Sequence, residues 1–167
     1  MESRIPREYS SLIGEYCSAI KKHFGEDLVS ICVFGSLARG SPKPSSDIDV
    51  MVVARNLSHD AGERTRSTNY IHQMLKSGVS GALRKLNRST LISDIFLTPE
   101  EIEMHPPILL DMVEDSVILY DRMGFLKSTL NKIRDRLKEM GARKVSAKKG
   151  YFWILKPDAK PNEVVEV

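Results

Sequence analysis

Apolar residues recur at three- and four-residue intervals early in the chain. Tyr9, Leu12, Ile13, Tyr16, Ile20 and Phe24 share one face of a helix predicted over Pro6 to Phe24, which Gly25 ends. The pattern then changes. Leu28 to Gly35 (LVSICVFG) is short, β-branched and bounded by turn residues, as a buried strand is. A Gly-, Ser- and Pro-rich loop follows, in which Ser36 to Arg39 begin a short helix that Pro42 ends. Asp47 to Ala54 (DIDVMVVA) reads as a second strand, a hairpin-like or near neighbour of the first. Asp60 to Leu86 is polar and mostly helical, interrupted at Gly78 and Gly81, and Ser89 to Thr98 is a third strand.

Thr98 caps a short helix, with Pro99 in its first turn and Glu101 three residues past the cap; His105-Pro106-Pro107 breaks it. Ile108 to Glu114 is a further short helix and Ser116 to Tyr120 a further strand. Phe125 to Met140 is a basic amphipathic helix with Leu126, Leu130, Ile133, Leu137 and Met140 inward, closed by Gly141. Two short β segments surround Lys149-Gly150, and the YFWIL alternation buries either Phe152 and Ile154 or the opposite set. This order predicts an α+β fold: a mixed sheet with helices packed against it. The expected organisation is one domain over 1–120, with a basic helix and β extension over 121–167 packed on it.

Composition narrows the class. The chain has 167 residues, 41% apolar and 28% charged, which is ordinary globular material with neither disorder nor a fibrous repeat. No membrane-length apolar run or signal-type leader occurs, so a cytoplasmic protein is expected. Cys17 and Cys32 read as buried small hydrophobes, and no paired Cys or His spacing suggests zinc. His23, His59, His72 and His105 are scattered and read as surface or satisfied histidines. The net charge of +3 is uneven: twelve Lys/Arg face six Asp/Glu from Asp121 onward. The basic segment Lys132 to Lys149 is a solvated helix face or an acidic-partner surface, and Tyr151 to Trp153 are core residues or a stacking platform.

The chemistry concentrates in GSLARGSPKPSSDIDV. Alternation along a strand places Asp47 and Asp49 on one side and Ile48 and Val50 on the other. Two carboxylates this close repel unless a cation lies between them, and oxygen donors select Mg²⁺ or Mn²⁺ over zinc. Upstream, Gly35 allows close backbone approach, Ser36 offers a hydroxyl and an N–H, and Arg39 and Lys43 can neutralise phosphate oxygens. Asp94, a carboxylate in the apolar strand LISDIF, is the candidate third acid.

Gly35-Ser36, ten residues, Asp47-Ile48-Asp49 and a later strand Asp94 together resemble the DNA polymerase β-like nucleotidyltransferase superfamily, in its minimal nucleotidyltransferase branch. The C-terminal run from Gly141 is similar to the tail of small archaeal proteins of this type. The resemblance implies a catalytic and metal-binding trio of Asp47, Asp49 and Asp94, with Gly35 and Ser36 holding a nucleoside triphosphate. It further implies Mg²⁺ or Mn²⁺, ATP or another NTP as donor, and pyrophosphate as leaving group. The acceptor, a protein or RNA, is then bound by this small module, a homodimer mate or a partner. In several minimal members that partner is a HEPN-type toxin whose Tyr receives AMP. The competing expectation is a non-catalytic nucleotide-binding regulator or antitoxin-like partner of such a protein.

Overall fold

The computed structural model describes residues 5–43, 46–60, 62–73, 92–147, 150–160 and 163–165. A short 3-10 turn, Arg7–Tyr9, leads into helix α1, Ser10–Phe24, which stops at Gly25 with φ +49°. Strand β1 is Leu28–Phe34, α2 is Gly35–Ala38 and β2 is Ile48–Ala54. Residues 62–73 are helical (α3); the expected interruptions at Gly78 and Gly81 lie outside the described residues. Then come β3 (Ile92–Leu97), α4 (Pro99–Glu103), α5 (Ile108–Asp115), β4 (Val117–Asp121), α6 (Phe125–Glu139), β5 (Arg143–Ser146) and β6 (Tyr151–Ile154).

Strands β3-β2-β1-β4 form a four-stranded mixed sheet, and β5-β6 form a separate antiparallel hairpin. β1 runs antiparallel to both β2 and β4, while β2 and β3 are parallel, as the crossover through α3 permits. The fold is therefore α+β, with helices on both faces of the sheet. On one face α1 buries Leu12, Ile13, Tyr16 and Ile20 against Ile31, Val33, Val50 and Val52. On the other, α5 and α6 bury Leu109, Met112, Leu126, Leu130, Ile133 and Leu137 against Val29, Cys32, Met51 and Val53. Residues beyond 121 thus share the core of those before it. The nearly all-apolar composition of β1 and β2 follows from cover on both faces.

Local signals account for several boundaries. Thr98 and Glu101 form the reciprocal capping box, and the Glu101 carboxylate also takes both terminal nitrogens of Arg64 from α3 at 3.0 and 3.1 Å. That guanidinium holds the Glu101 carboxyl below the usual carboxylate range. The capping of α6 is less local. Asp121 accepts from the amides of Leu126 and Lys127 and from the Ser30 hydroxyl at 2.7 to 3.0 Å, joining the helix start to β1. In the hairpin, Tyr151 and Trp153 turn inward, leaving Phe152 and Ile154 52% and 39% exposed. Both cysteines are free. Among the described residues no helix is long and apolar enough to cross a membrane.

Candidate active site

β1 ends where α2 begins, and the junction is Gly35 with φ +68°. A side chain there would meet two obstacles. The left-handed backbone disfavours it, and a Cβ would lie 2.2 Å from Asp49 Oδ2. Gly35 is thus a notch that admits the Asp49 carboxylate, which explains the pairing of a glycine with a carboxylate fourteen positions later. Ser36 is the second residue of α2, and its carbonyl accepts from the amide of Ser41 at 3.1 Å, folding the loop back.

Asp49 faces the α5–α6 side, because its antiparallel partner Phe34 and its strand neighbour Met51 belong to that core. Asp47 precedes the strand and is exposed, whereas Asp49 is half-buried. Burial pushes the Asp49 carboxyl up first, the neighbouring charge of Asp47 adds to this, Arg39 opposes it and Asp111 adds again. Two repelling carboxylates beside an Arg suit a divalent cation shared with a nucleotide's phosphates. Mg²⁺ commonly takes one or two protein carboxylates and completes its shell with phosphate oxygens and water. Among the described residues no group of three or more His, Cys, Asp or Glu side chains is placed to hold a metal ion. Arg39, at the C-terminal end of α2, is exposed beside this pair. Lys43 is exposed on the loop before β2, its amide donating to the Ser46 hydroxyl at 3.0 Å.

Asp94 does not join them. In the parallel β2–β3 ladder Asp94 stands opposite Val50 and Ser93 opposite Asp49, so Asp94 points to the α1 side. There its carboxylate accepts from the Tyr16 hydroxyl at 2.8 Å and meets His72 Nε2 at 2.9 Å, with only 9% of the side chain exposed. This pairing is what makes a carboxylate tolerable in LISDIF. It also pushes the Tyr16 hydroxyl far up, burial contributing most and Asp94 next. His72 is accordingly a satisfied histidine, at the edge of a cleft of about 400 Å³ shared with His59, Thr68 and Asn69. Asp94 therefore stands apart from Asp47 and Asp49, because the register of β3 against β2 decides the face.

Asp111, which the sequence did not single out, and Tyr151, expected in the core or a stacking platform, meet on the Asp49 side. Asp111 lies on the solvent side of α5, and the Tyr151 hydroxyl donates to its Oδ1 at 2.7 Å. Tyr151 is itself pushed up to about 12, by burial and then by Asp111, and so stays a donor at neutral pH. The signal available in sequence was small: Asp111 interrupts the apolar ILLDMV segment.

A glycine notch at Gly35, Asp49 on the adjoining strand with Asp47 just before it, and Arg39 at the end of α2 lie along this edge of the mixed sheet. The family model described as nucleotidyltransferase domain matches residues 15–146, and the chain belongs to that family. A Methanocaldococcus jannaschii protein named for protein adenylyltransferase activity is 29% identical over 133 residues, covering 78% of this chain and 84% of its own. Similar solved structures include a toxin–antitoxin with AMP-PNP, 15% identical with TM-score 0.45, covering 81% of this chain and 94% of that one. Another is a complex of a tri-AMPylated Shewanella oneidensis HEPN toxin with its MNT antitoxin, 15% identical with TM-score 0.43, covering 77% and 92%.

Proposed function

We propose that this nucleotidyltransferase moves a nucleoside monophosphate from a nucleoside triphosphate to an acceptor hydroxyl and releases pyrophosphate. The observation that carries this reading is the Asp49 carboxylate seated in the Gly35 notch, its charged form disfavoured by burial and by the charge of Asp47. Asp47 and Asp49 would hold Mg²⁺ or Mn²⁺, and the bound ions would supply charge neutralisation at the attacking and leaving oxygens. The chain's own groups do the remaining work. Gly35 lets the β1–α2 junction approach the phosphates, the Ser36 hydroxyl and amide bind a phosphate oxygen, and Arg39 and Lys43 balance the triphosphate charge. Because the M. jannaschii relative is named for adenylyl transfer to protein, ATP is the favoured donor and a protein hydroxyl the favoured acceptor.

The test incubates the chain with α-labelled ATP, CTP, GTP and UTP and Mg²⁺ or Mn²⁺, alone, with total RNA and with lysate of its source. Label on one protein band or on RNA, lost in D47A/D49A, is the expected result and identifies the acceptor class, a HEPN-type partner included. Metal-dependent nucleotide binding without label anywhere would instead make the chain a nucleotide-binding regulator.

A further inference from the structure

With Asp94 turned to the opposite face, the acceptor's proton needs another group on the Asp49 side. Asp47 and Asp49 are committed to cation binding in the reading above, on which this inference rests, and Arg39 and Lys43 are cations. Among the described residues Asp111 is an acid on another element of this side: the Asp49 carboxylate sits against Gly35 of α2, α2 packs on α5, and the Asp111 charge is felt at Asp49. It is carried by α5, which packs on the same sheet face as Asp49 and lies against α2. Leu109, Met112 and Val113 anchor α5 in the core, so the direction in which Asp111 projects is set by packing. Its Oδ1 is taken by the Tyr151 hydroxyl at 2.7 Å, a partner forty residues away on the C-terminal hairpin. Tyr151 is positioned in turn: the Lys144 ammonium lies 4.0 Å from its ring centroid and is tied to Glu114 at 2.8 Å and Asp115 at 3.3 Å. The hairpin is thereby clamped to α5. Between it and α2 opens a cleft of about 370 Å³, lined by Arg39, Glu114, Lys144, Ser146, Gly150 and Tyr151. Arg39 lines this cleft, and its charge also acts on Asp49.

We propose that Asp111 accepts the proton of the attacking hydroxyl, that Tyr151 is the positioning residue that orients it, and that the hairpin cleft admits the acceptor's hydroxyl-bearing group. The acceptor oxygen attacks the α-phosphorus and forms the new P–O bond. The bond from the α-phosphorus to the oxygen bridging to the β-phosphate breaks, pyrophosphate leaves with that electron pair, and the hydroxyl proton passes to Asp111 and on to solvent. A positioned base of this kind contributes about 10²- to 10⁴-fold.

The experiment compares the full chain with D111N, D111E, Y151F and D111N/Y151F. Melting is recorded for each, and Mn²⁺ and α,β-methylene-ATP affinities are measured by calorimetry. Single-turnover transfer is followed from α-labelled ATP to the acceptor found above and to water, read as free AMP. D111N should lose about 100-fold or more in rate with both affinities within about threefold, and D111E should recover part of it. Y151F, which keeps the ring and its Lys144 contact, should lose about tenfold alone and nothing further in D111N, because it acts through Asp111. Independent, multiplying losses would show a merely structural hairpin and overturn the assignment, as would D111N transferring within threefold of the unaltered chain. Should D111N not fold, a Y151F rate equal to the unaltered chain's overturns it equally. If the unaltered chain binds nucleotide yet yields neither label nor AMP, the transferase reading itself falls, and this assignment with it.

Discussion

Replacing Gly35 by Ala tests whether the notch positions the metal-binding carboxylate. The added Cβ meets Asp49 Oδ2 at 2.2 Å, and reaching even 3.0 Å requires the carboxylate to retreat by about 0.8 Å. The backbone adds its own penalty, since φ is +68° and a non-glycine residue in the left-handed region costs about 1–2 kcal/mol. The molecule contains its own control for that second cost. Gly141, which closes α6, also has φ +68°, but a Cβ there meets nothing within 4 Å. G141A should therefore show the backbone penalty alone, a melting temperature lower by about 2–8 °C with transfer and Mn²⁺ affinity unchanged. G35A should show a similar or larger thermal loss together with weaker Mn²⁺ binding and a drop in transfer of about 100-fold, the usual consequence of displacing a reacting constellation by about 1 Å. Differential scanning fluorimetry, Mn²⁺ titration and single-turnover labelling on the two variants separate the effects. If G35A and G141A behave alike in binding and transfer, the notch does not position Asp49.

Three further outcomes follow from the same structure. Because burial and Asp47 raise the Asp49 carboxyl above its unfolded value of about 3.9, its contribution to stability is full below that pH and is lost as pH rises through the folded value. Metal-free D49N should then melt about 1–3 °C above the unaltered chain at pH 7, with the gap closing near pH 3.5, while Mn²⁺ binding is lost; a D49N that melts lower at pH 7 would contradict this. Y16F removes the Tyr16 donor from the Asp94 carboxylate, leaving it to His72, and should cost about 1–3 kcal/mol in urea denaturation, whereas D94N should keep Mn²⁺ affinity within about threefold; loss of Mn²⁺ binding in D94N would place Asp94 back at the metal. D121A removes the acceptor for two α6 amides and the Ser30 hydroxyl and should cost about 2 kcal/mol by the same method, with a null effect counting against the cap.

Several elements were legible in the sequence because they are written in short-range pattern. The α1 stripe from Tyr9 to Ile20, the apolar strands β1 and β2, the Thr98–Glu101 box and the stop at Gly141 each depend on neighbours within a few residues, and each stands where its pattern predicts. Asp47 and Asp49 stood out by their two-residue spacing, although Asp47 lies one residue before β2 and only Asp49 is in the strand. Tertiary structure decided everything that depends on register between strands or on elements far apart in the chain. A shift of one position along β3 exchanges its faces, so whether Asp94 or Ser93 stands beside Asp49 is settled by pairing with β2 and by the partners that Tyr16 and His72 supply on the other side. Asp111 and Tyr151 meet only because α5 and the hairpin pack together forty residues apart. Side-chain parity is a local property of one strand, but which face it addresses is a property of the assembled sheet.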